Sequence, residues 1–401
     1  MIQEVQKDHT LLVKGPSRVK ILEGKIEVFG KIFVPEKSEQ KGILIVPSAN
    51  NYPLYALEPS KLEIFTSNRN NLKIIEENTI NKEWEKVKET VISTIRKNED
   101  KKPIKLMVLG LSSGKTTLIK YLANNILKEG FKASFLDSDL GQQLLYLPTT
   151  LNIGEIKQNI VTSADVETEE TVFIGSTFPK AGFKFIVSLA CKNLIDNFQM
   201  THKEMDIILI DSDGWIRTEA GIIYKKFFID TVDPDILIVF HDDEIEELDE
   251  IEKNASKSKK RKILYLKEEN KYFYEKDKEE RRFLRQSQFA KVLENYRKIS
   301  IPLNDIKFIK AGFDVEEDKI IEEEININNL ITLPYHYVII ALLTEDSKLI
   351  KIGLLFVINT EKNYILLFSD LSFKEQRQIK KILLGSLRLS IKGNHQGYLY
   401  L

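Results

Sequence analysis

Residues 104–122, IKLMVLGLSSGKTTLIKYL, set a Gly-Lys-Thr-Thr turn between an apolar run and a run with helical spacing. That arrangement suits a phosphate cradle. Backbone N–H groups at a helix N-terminus, reinforced by the helix dipole, attract anions. Gly110, Ser112, Ser113, Gly114, Lys115, Thr116 and Thr117 are the candidate phosphate-binding residues. Lys115 is placed to reach the β- and γ-phosphates of a nucleotide such as ATP, and the Thr116 hydroxyl to ligate Mg²⁺. The glycine normally found five positions before Gly114 is replaced by Leu109, and a glycine follows one place later at Gly110. The loop is therefore expected to be one residue tighter or shifted in register.

Four further segments carry groups that phosphoryl transfer needs. FLDSDLGQQ (135–143) follows a strand and offers Asp139, which can hold Mg²⁺ through water or accept a proton from an attacking hydroxyl. ILIDSDGWI (208–216) ends an apolar run in Asp211, a strand-end carboxylate and metal candidate, with Asp213 close behind. FIGSTFPKAGF (173–183) is a turn rich in glycine and hydroxyls. EERRFLRQSQF (279–289) brings Arg281, Arg282 and Arg285 into about one helical turn, with Arg281 and Arg285 sharing a face. On a mobile flap their forked donors suit transferring phosphate oxygens; salt bridges to Glu279 and Glu280 are the plainer reading.

These groups need a scaffold. From Ile104 to about Leu266, apolar runs (IKLMVL, ASFL, TVFIG, DIILI, DILIVF, KILYL) alternate with helical stretches. The pattern predicts an α/β P-loop domain with a mostly parallel sheet, whose ligands bind at the carboxyl ends of the strands. Before it, residues 10–75 read as short strands broken by Gly and Pro. The stretch NKEWEKVKETVISTIRK then reads as a helix with Trp84, Val87, Val91, Ile92 and Ile95 on one face. After Ile299 the chain is strand-like again, with a helix expected at FKEQRQIKKILLG. The division is 1–80 β-rich, 81–299 P-loop with arginine lid, and 300–401 β-rich. Between Asp242 and Lys262 an acidic run meets a basic one, KSKKRK; a solvated helix and turn is one reading, a nucleic-acid contact the other.

Composition narrows the classes. With 401 residues and a net charge of −1 there is no global basic field, so any nucleic-acid contact must be a local patch. One cysteine and five histidines rule out a disulfide framework and argue against structural zinc. No run of about 18 apolar residues occurs, and MIQEVQKDHT has no apolar signal core. A soluble, cytoplasmic protein with no membrane partner is expected.

The order of cradle, D-x-D-x-G-Q, G-S-T-x-P, D-x-D-G-W and R-R-x-L-R, after a β-rich leader containing GPSRVKILEGKIEVFG, closely resembles the polynucleotide 5′-hydroxyl kinases. That family includes the P-loop RNA kinases of pre-mRNA cleavage and pre-rRNA processing and their archaeal relatives. The resemblance implies that Lys115 and Thr116 serve the phosphates and Mg²⁺. It makes Asp139 the carboxylate that activates the 5′-hydroxyl, with Gln142 beside it on the substrate. Asp211 and Asp213 match the strand-end acids, and Trp215 an aromatic that stacks on a base. Arg281, Arg282 and Arg285 match the lid. Three positions depart from the pattern: Leu109 in the cradle, Gln288 where many relatives carry another lid cation, and Phe183 at or near a histidine.

The implied activity is transfer of the ATP γ-phosphate to the 5′-hydroxyl of RNA, with DNA left open as an acceptor, Mg²⁺ as cofactor, and RNA-processing proteins as partners. A catalytically weak, ATP-bound scaffold of an RNA-processing complex is the alternative. A P-loop ATPase or GTPase switch is a more distant one, since it has no use for the acceptor element.

Overall fold

The computed structural model describes residues 1–35, 42–99, 102–111, 114–162, 165–241, 245–267, 272 and 276–401. The leader forms nine short strands. They are β1 (Ile2–Val5), β2 (Thr10–Lys14), β3 (Ser17–Glu23), β4 (Ile26–Val28) and β5 (Lys31–Phe33), then β6 (Ile43–Val46), β7 (Asn51–Ala56), β8 (Ser60–Thr66) and β9 (Leu72–Ile75). They make two sheets, ordered β1-β8-β3-β6 and β5-β4-β7-β2-β9. Alternating residues such as Val19, Ile21, Leu62 and Ile64 of one sheet, and Leu11, Val13 and Leu54 of the other, share one core.

Helix α1 (Lys82–Arg96) leads into the central layer, and all five of its expected core residues are buried. The central elements are β10 (Ile104–Leu109), α2 (Lys115–Lys128), β11 (Ala133–Asp137), β12 (Thr150–Glu155), β13 (Glu170–Phe173) and α3 (Phe183–Thr201). There follow β14 (Ile207–Asp211), α4 (Glu219–Val232), β15 (Ile236–His241), α5 (Glu246–Ala255), β16 (Lys262–Lys267) and α6 (Lys278–Leu293). The sheet order is β13-β12-β11-β14-β10-β15-β16. Five strands are parallel and the β12–β13 edge is antiparallel. Strand alternation splits this layer into two cores. Met107, Leu109, Ile208 and Ile210 pack toward α3, α4 and α5, whereas Leu106, Val108, Ile207 and Leu209 pack toward α1 and α2. The leader is seated on the back of α2, where the buried Asn124 amide donates to Phe29 O (2.7 Å) and Ile160 O (2.8 Å).

The last third is one sheet of β17 (Arg297–Pro302), β18 (Lys307–Asp314), β19 (Lys319–Glu324), β20 (Val338–Leu343), β21 (Leu349–Asn359), β22 (Tyr364–Ser369), β23 (Lys381–Leu389) and β24 (His395–Tyr398). Short helices α7 (Ile327–Leu330) and α8 (Phe373–Gln376) interrupt it. The helix expected at FKEQRQIKKILLG is corrected here. Only its first turn, capped by Ser372 and Glu375, is helical, and Lys381–Leu389 is a strand. Ile382, Leu384, Leu387 and Leu389 are inward-facing residues of β23, which pairs with β18, β20 and β24. Tertiary pairing on both edges overrides the helical propensity of the lysines and leucines. The basic run before β16 lies at the amino ends of the strands, away from their carboxyl ends. There Arg261 donates to Asp233 (2.8 Å), Pro234 O (3.1 Å) and Ala255 O (3.0 Å) with its side chain buried, so that residue fastens the turn and is neither solvated nor free for nucleic acid.

Candidate active site

Strand β10 runs through Leu109, whose side chain is fully buried among core residues of α3 and α4, and Gly110 begins the turn. A Cβ on Gly110 would stand 2.8 Å from the Phe240 Cβ on neighbouring β15, so glycine is required one place later than usual. Gly114 closes the loop at φ 119°, a conformation that favours glycine, and caps α2. Ser112 and Ser113 lie outside the described residues. The Lys115 ammonium folds back over the turn and donates to Gly110 O (2.9 Å), while burial lowers its pKa. Thr116, in the first turn of α2, gives its hydroxyl hydrogen to Asp211 Oδ2; Thr117 is half-buried beside it.

Two strand ends flank the cradle, because β14 lies between β10 and β11. Asp211 ends β14, fully desolvated, and burial raises its pKa to about 6. Its second oxygen, Oδ1, is buried and has no hydrogen-bond partner among the described residues. Asp137 ends β11, and its pKa is raised by burial and then by the charge of Asp211. Asp139 sits one step further out. One of its oxygens accepts from Gly141 N (2.9 Å) and Gln142 N (3.0 Å), which orients the carboxyl and leaves the other oxygen available. Burial and the nearby Asp213 raise its pKa.

Asp211 and Asp213 part company in the structure. Asp213 Oδ1 accepts from Trp215 N (2.8 Å), and its Oδ2 lies 3.1 Å from the Lys225 ammonium of α4, whose side chain is completely buried. Gly214 is pressed against the cradle: a Cβ there would meet Leu111 O at 2.2 Å. Trp215 is half-buried between Phe178 (ring centroids 4.5 Å) and Tyr224 (5.8 Å). It therefore packs against the core and stays partly exposed.

The lid helix α6 is capped by Asp277 and Glu280, which explains that glutamate without a salt bridge to Arg282 or Arg285. Gln142 Nε2 donates to Arg281 O (3.2 Å), and Gln288 donates to Gln143 O, so the helix is fastened to the acceptor loop. Gln288 thus has a docking role where a cation was expected. The lower half of α6 buries Phe289 and Leu293 in a core shared with β20, β21 and β23. The lid is held by this core at one end and by Gln142 at the other, where Arg281, Arg282 and Arg285 lie.

Sequence reasoning missed Lys225, Asp137 and Gln143. Lys225 stands four residues from Gly221 and Ile229, all on the buried face of α4, a register that marks it as an interior charge. Gln143, whose amide holds Asp137 O (3.2 Å), Asp139 O (3.0 Å) and Thr150 O (2.7 Å), depends on a β12 strand that the sequence pattern did not reveal.

Residues 110–295 match the family described as the mRNA cleavage and polyadenylation factor CLP1 P-loop. The chain is 27% identical over 343 residues to a polyribonucleotide 5′-hydroxyl-kinase of Methanocaldococcus jannaschii, covering 75% of this chain and 91% of the relative. It is 29% identical over 225 residues to a polyribonucleotide 5′-hydroxyl-kinase of Pyrococcus furiosus, covering 55% of this chain and 60% of the relative. In fold it matches a structure of the extended interface between Pcf11p and Clp1p, with a TM-score of 0.75 at 12% identity over 97% of this chain and 98% of the other. A wild-type Clp1p–Pcf11p complex gives 0.71 at 14% over 97% of both chains. Residues 110–295 are thus similar to the Clp1 P-loop family, and the whole chain shares the Clp1p fold.

Proposed function

We propose that this protein is a polynucleotide 5′-hydroxyl kinase that moves the γ-phosphate of ATP to the 5′-hydroxyl of RNA. Supporting this are the names of the Methanocaldococcus and Pyrococcus relatives. The observation that carries the reading is the convergence of Lys115, the Thr116–Asp211 pair and Asp139 at adjacent strand ends, next to a helix bearing three arginines. A switch ATPase has no need of the last two elements.

In this reading Gly110, Ser112, Ser113, Gly114, Lys115, Thr116 and Thr117 hold the triphosphate. The donor set beside it is all oxygen, which suits a hard cation. The buried Oδ1 of Asp211, without a partner among the described residues, fits a site for Mg²⁺ with Thr116, and Asp139, whose charge acts on Asp211, would join it through water. Mg²⁺ neutralises charge on the β- and γ-phosphate oxygens when bound. The free oxygen of Asp139 takes the proton of the 5′-hydroxyl as that oxygen bonds to the γ-phosphorus, and the bond to the β-phosphate oxygen breaks to release ADP. Lys115 and the lid arginines stabilise the charge spread over the transferring group. Gln142 and the exposed part of Trp215 position the terminal nucleotide, and a stack of this kind is worth roughly 1–3 kcal/mol. Three domains divide the work, at 1–80, 81–299 and 300–401, in the cytoplasm.

The deciding experiment is incubation of the purified protein with γ-labelled ATP and 5′-hydroxyl RNA and DNA oligonucleotides. Labelled RNA is the expected result. Co-purifying ATP without transfer to any acceptor favours a scaffold that assembles with RNA-processing proteins, for which the displaced cradle glycine and the fold shared with Pcf11p-bound Clp1p speak.

A further inference from the structure

The C-terminal sheet reaches the acceptor site directly. Gly175 and Gly385 meet backbone to backbone: a Cβ on Gly175 would stand 2.3 Å from the Gly385 Cα. Ser386 N (2.8 Å) and Leu387 N (3.1 Å) both donate to Gly175 O, so the G-S-T turn is tied to β23. Two residues on, Thr177 Oγ1 lies 3.4 Å from the Tyr398 hydroxyl of β24. Thr177 O in turn lies 3.1 Å from a Cβ built on Gly141, beside Asp139. Gly393, at the β23–β24 turn, comes so close to α6 that a Cβ would stand 2.8 Å from Ala290 N.

These contacts enclose an open cleft of about 490 Å³ between α6 and the β23–β24 hairpin, within the range of a small-ligand site. One wall carries Lys278, Arg281, Arg282 and Arg285, and the other His395 and Tyr398. Among the described residues no carboxylate lines it. Among the described residues Arg282 and Arg285 pair with no acid, so the cleft holds a net positive charge in a chain that is otherwise balanced. The opposite wall carries two rings, and a third stands next to them outside the cleft lining. His395 and Tyr398 have centroids 4.9 Å apart, and Tyr398 and the exposed Tyr400 have centroids 6.3 Å apart. Cations along one wall and ring faces along the other are what a single strand of nucleic acid requires of a groove. A flat protein epitope would leave these arginines facing no charge.

Building on the kinase reading above, we infer that this cleft is the track for the nucleotides downstream of the acceptor's 5′ end. Their phosphates lie along Arg282 and Arg285, and a base stacks on Tyr398 and His395. The C-terminal sheet is then a substrate-binding element as well as a brace for the lid.

The test is a series of 5′-hydroxyl acceptors, from a nucleoside 3′-phosphate through di- and trinucleotides to a decamer RNA. In the wild type KM falls as the acceptor lengthens. Tyr398→Ala removes most of that gain, raising KM for the decamer about fivefold, the low end expected for one lost stack, with little change for the shortest acceptor phosphorylated. Tyr398→Phe, which keeps the ring, restores it. His395→Ala, on an exposed residue, gives a smaller rise. In parallel, 2-aminopurine placed within the first nucleotides after the 5′ end is quenched on binding to the wild type and less so with Tyr398→Ala. A parallel length dependence in wild type and Tyr398→Ala, together with unchanged quenching, would overturn the assignment. If the wild type labels no acceptor at all, the kinase reading fails, while weaker decamer binding by Tyr398→Ala still supports the track and equal binding refutes it.

Discussion

Lys225 Nζ lies 3.1 Å from Asp213 Oδ2, an ion pair whose lysine side chain is wholly buried. The ammonium also sits 4.6 Å from the centre of the Tyr224 ring. Asp213 in turn holds the backbone of Trp215, so this buried pair fixes the turn that carries the aromatic and presses Gly214 onto the cradle.

Removing the lysine leaves Asp213 without its counter-charge in a low-dielectric site. Lys225→Met should cost about 3 kcal/mol of stability. Adding Asp213→Asn to it should recover a large part, because no charge is then stranded. Urea unfolding of the single and double variants measures both. Equal stability of Lys225→Met and wild type would show that Asp213 is satisfied by other means.

Lys115 is buried, with its ammonium over Gly110 O. Lys115→Ala deletes the cation that meets the β- and γ-phosphates, and loss of one preorganised charge at a transferring group costs roughly 10²–10³-fold or more in rate. Labelling of a 5′-hydroxyl oligonucleotide should fall below detection. Activity near wild type would remove the cradle from the mechanism.

Asp139→Asn separates the base from the metal role. The oxygen that accepts from Gly141 and Gln142 survives as an amide oxygen, so the loop keeps its shape. The free carboxylate oxygen becomes an NH₂ that cannot take a proton. Transfer should drop by about 10²–10⁴-fold, with ATP affinity retained in equilibrium dialysis. Loss of nucleotide binding as well would make Asp139 a metal ligand first.

The cradle, the strand-end carboxylates and the arginine triplet were legible because each is a local signal: residues within a few positions of one another, at a boundary between two periodicities. The parallel strands were legible as apolar runs. β23 was not, since KILLGSLRL has helix-forming residues and most of its length is paired with partners more than 30 residues away in β20 and β18. His395 and Tyr398 were invisible for the same reason. Nothing near them in sequence says that β24 ends beside Thr177. Leu109 read as a defect in the cradle, yet it is the last core residue of β10, and the glycine is set by the approach of Phe240.

The acidic cluster gives the last prediction its sign. Burial raises the Asp211 pKa from an ordinary value near 4 to about 6, and raises Asp137 and Asp139 as well. Between these limits the folded protein keeps a proton that the unfolded chain has released, so stability falls as pH rises through that window. For Asp211 alone the loss is about 3 kcal/mol, complete above pH 6. Mg²⁺ favours the ionised form and should restore stability, more at pH 7.5 than at pH 5. Asp211→Asn has no proton to release and should flatten both the decline in Tm and the magnesium effect. Differential scanning calorimetry of the nucleotide-free protein, with and without Mg²⁺ at the two pH values, measures this directly. A magnesium effect of the same size at both, or one that survives Asp211→Asn, would place the ion elsewhere.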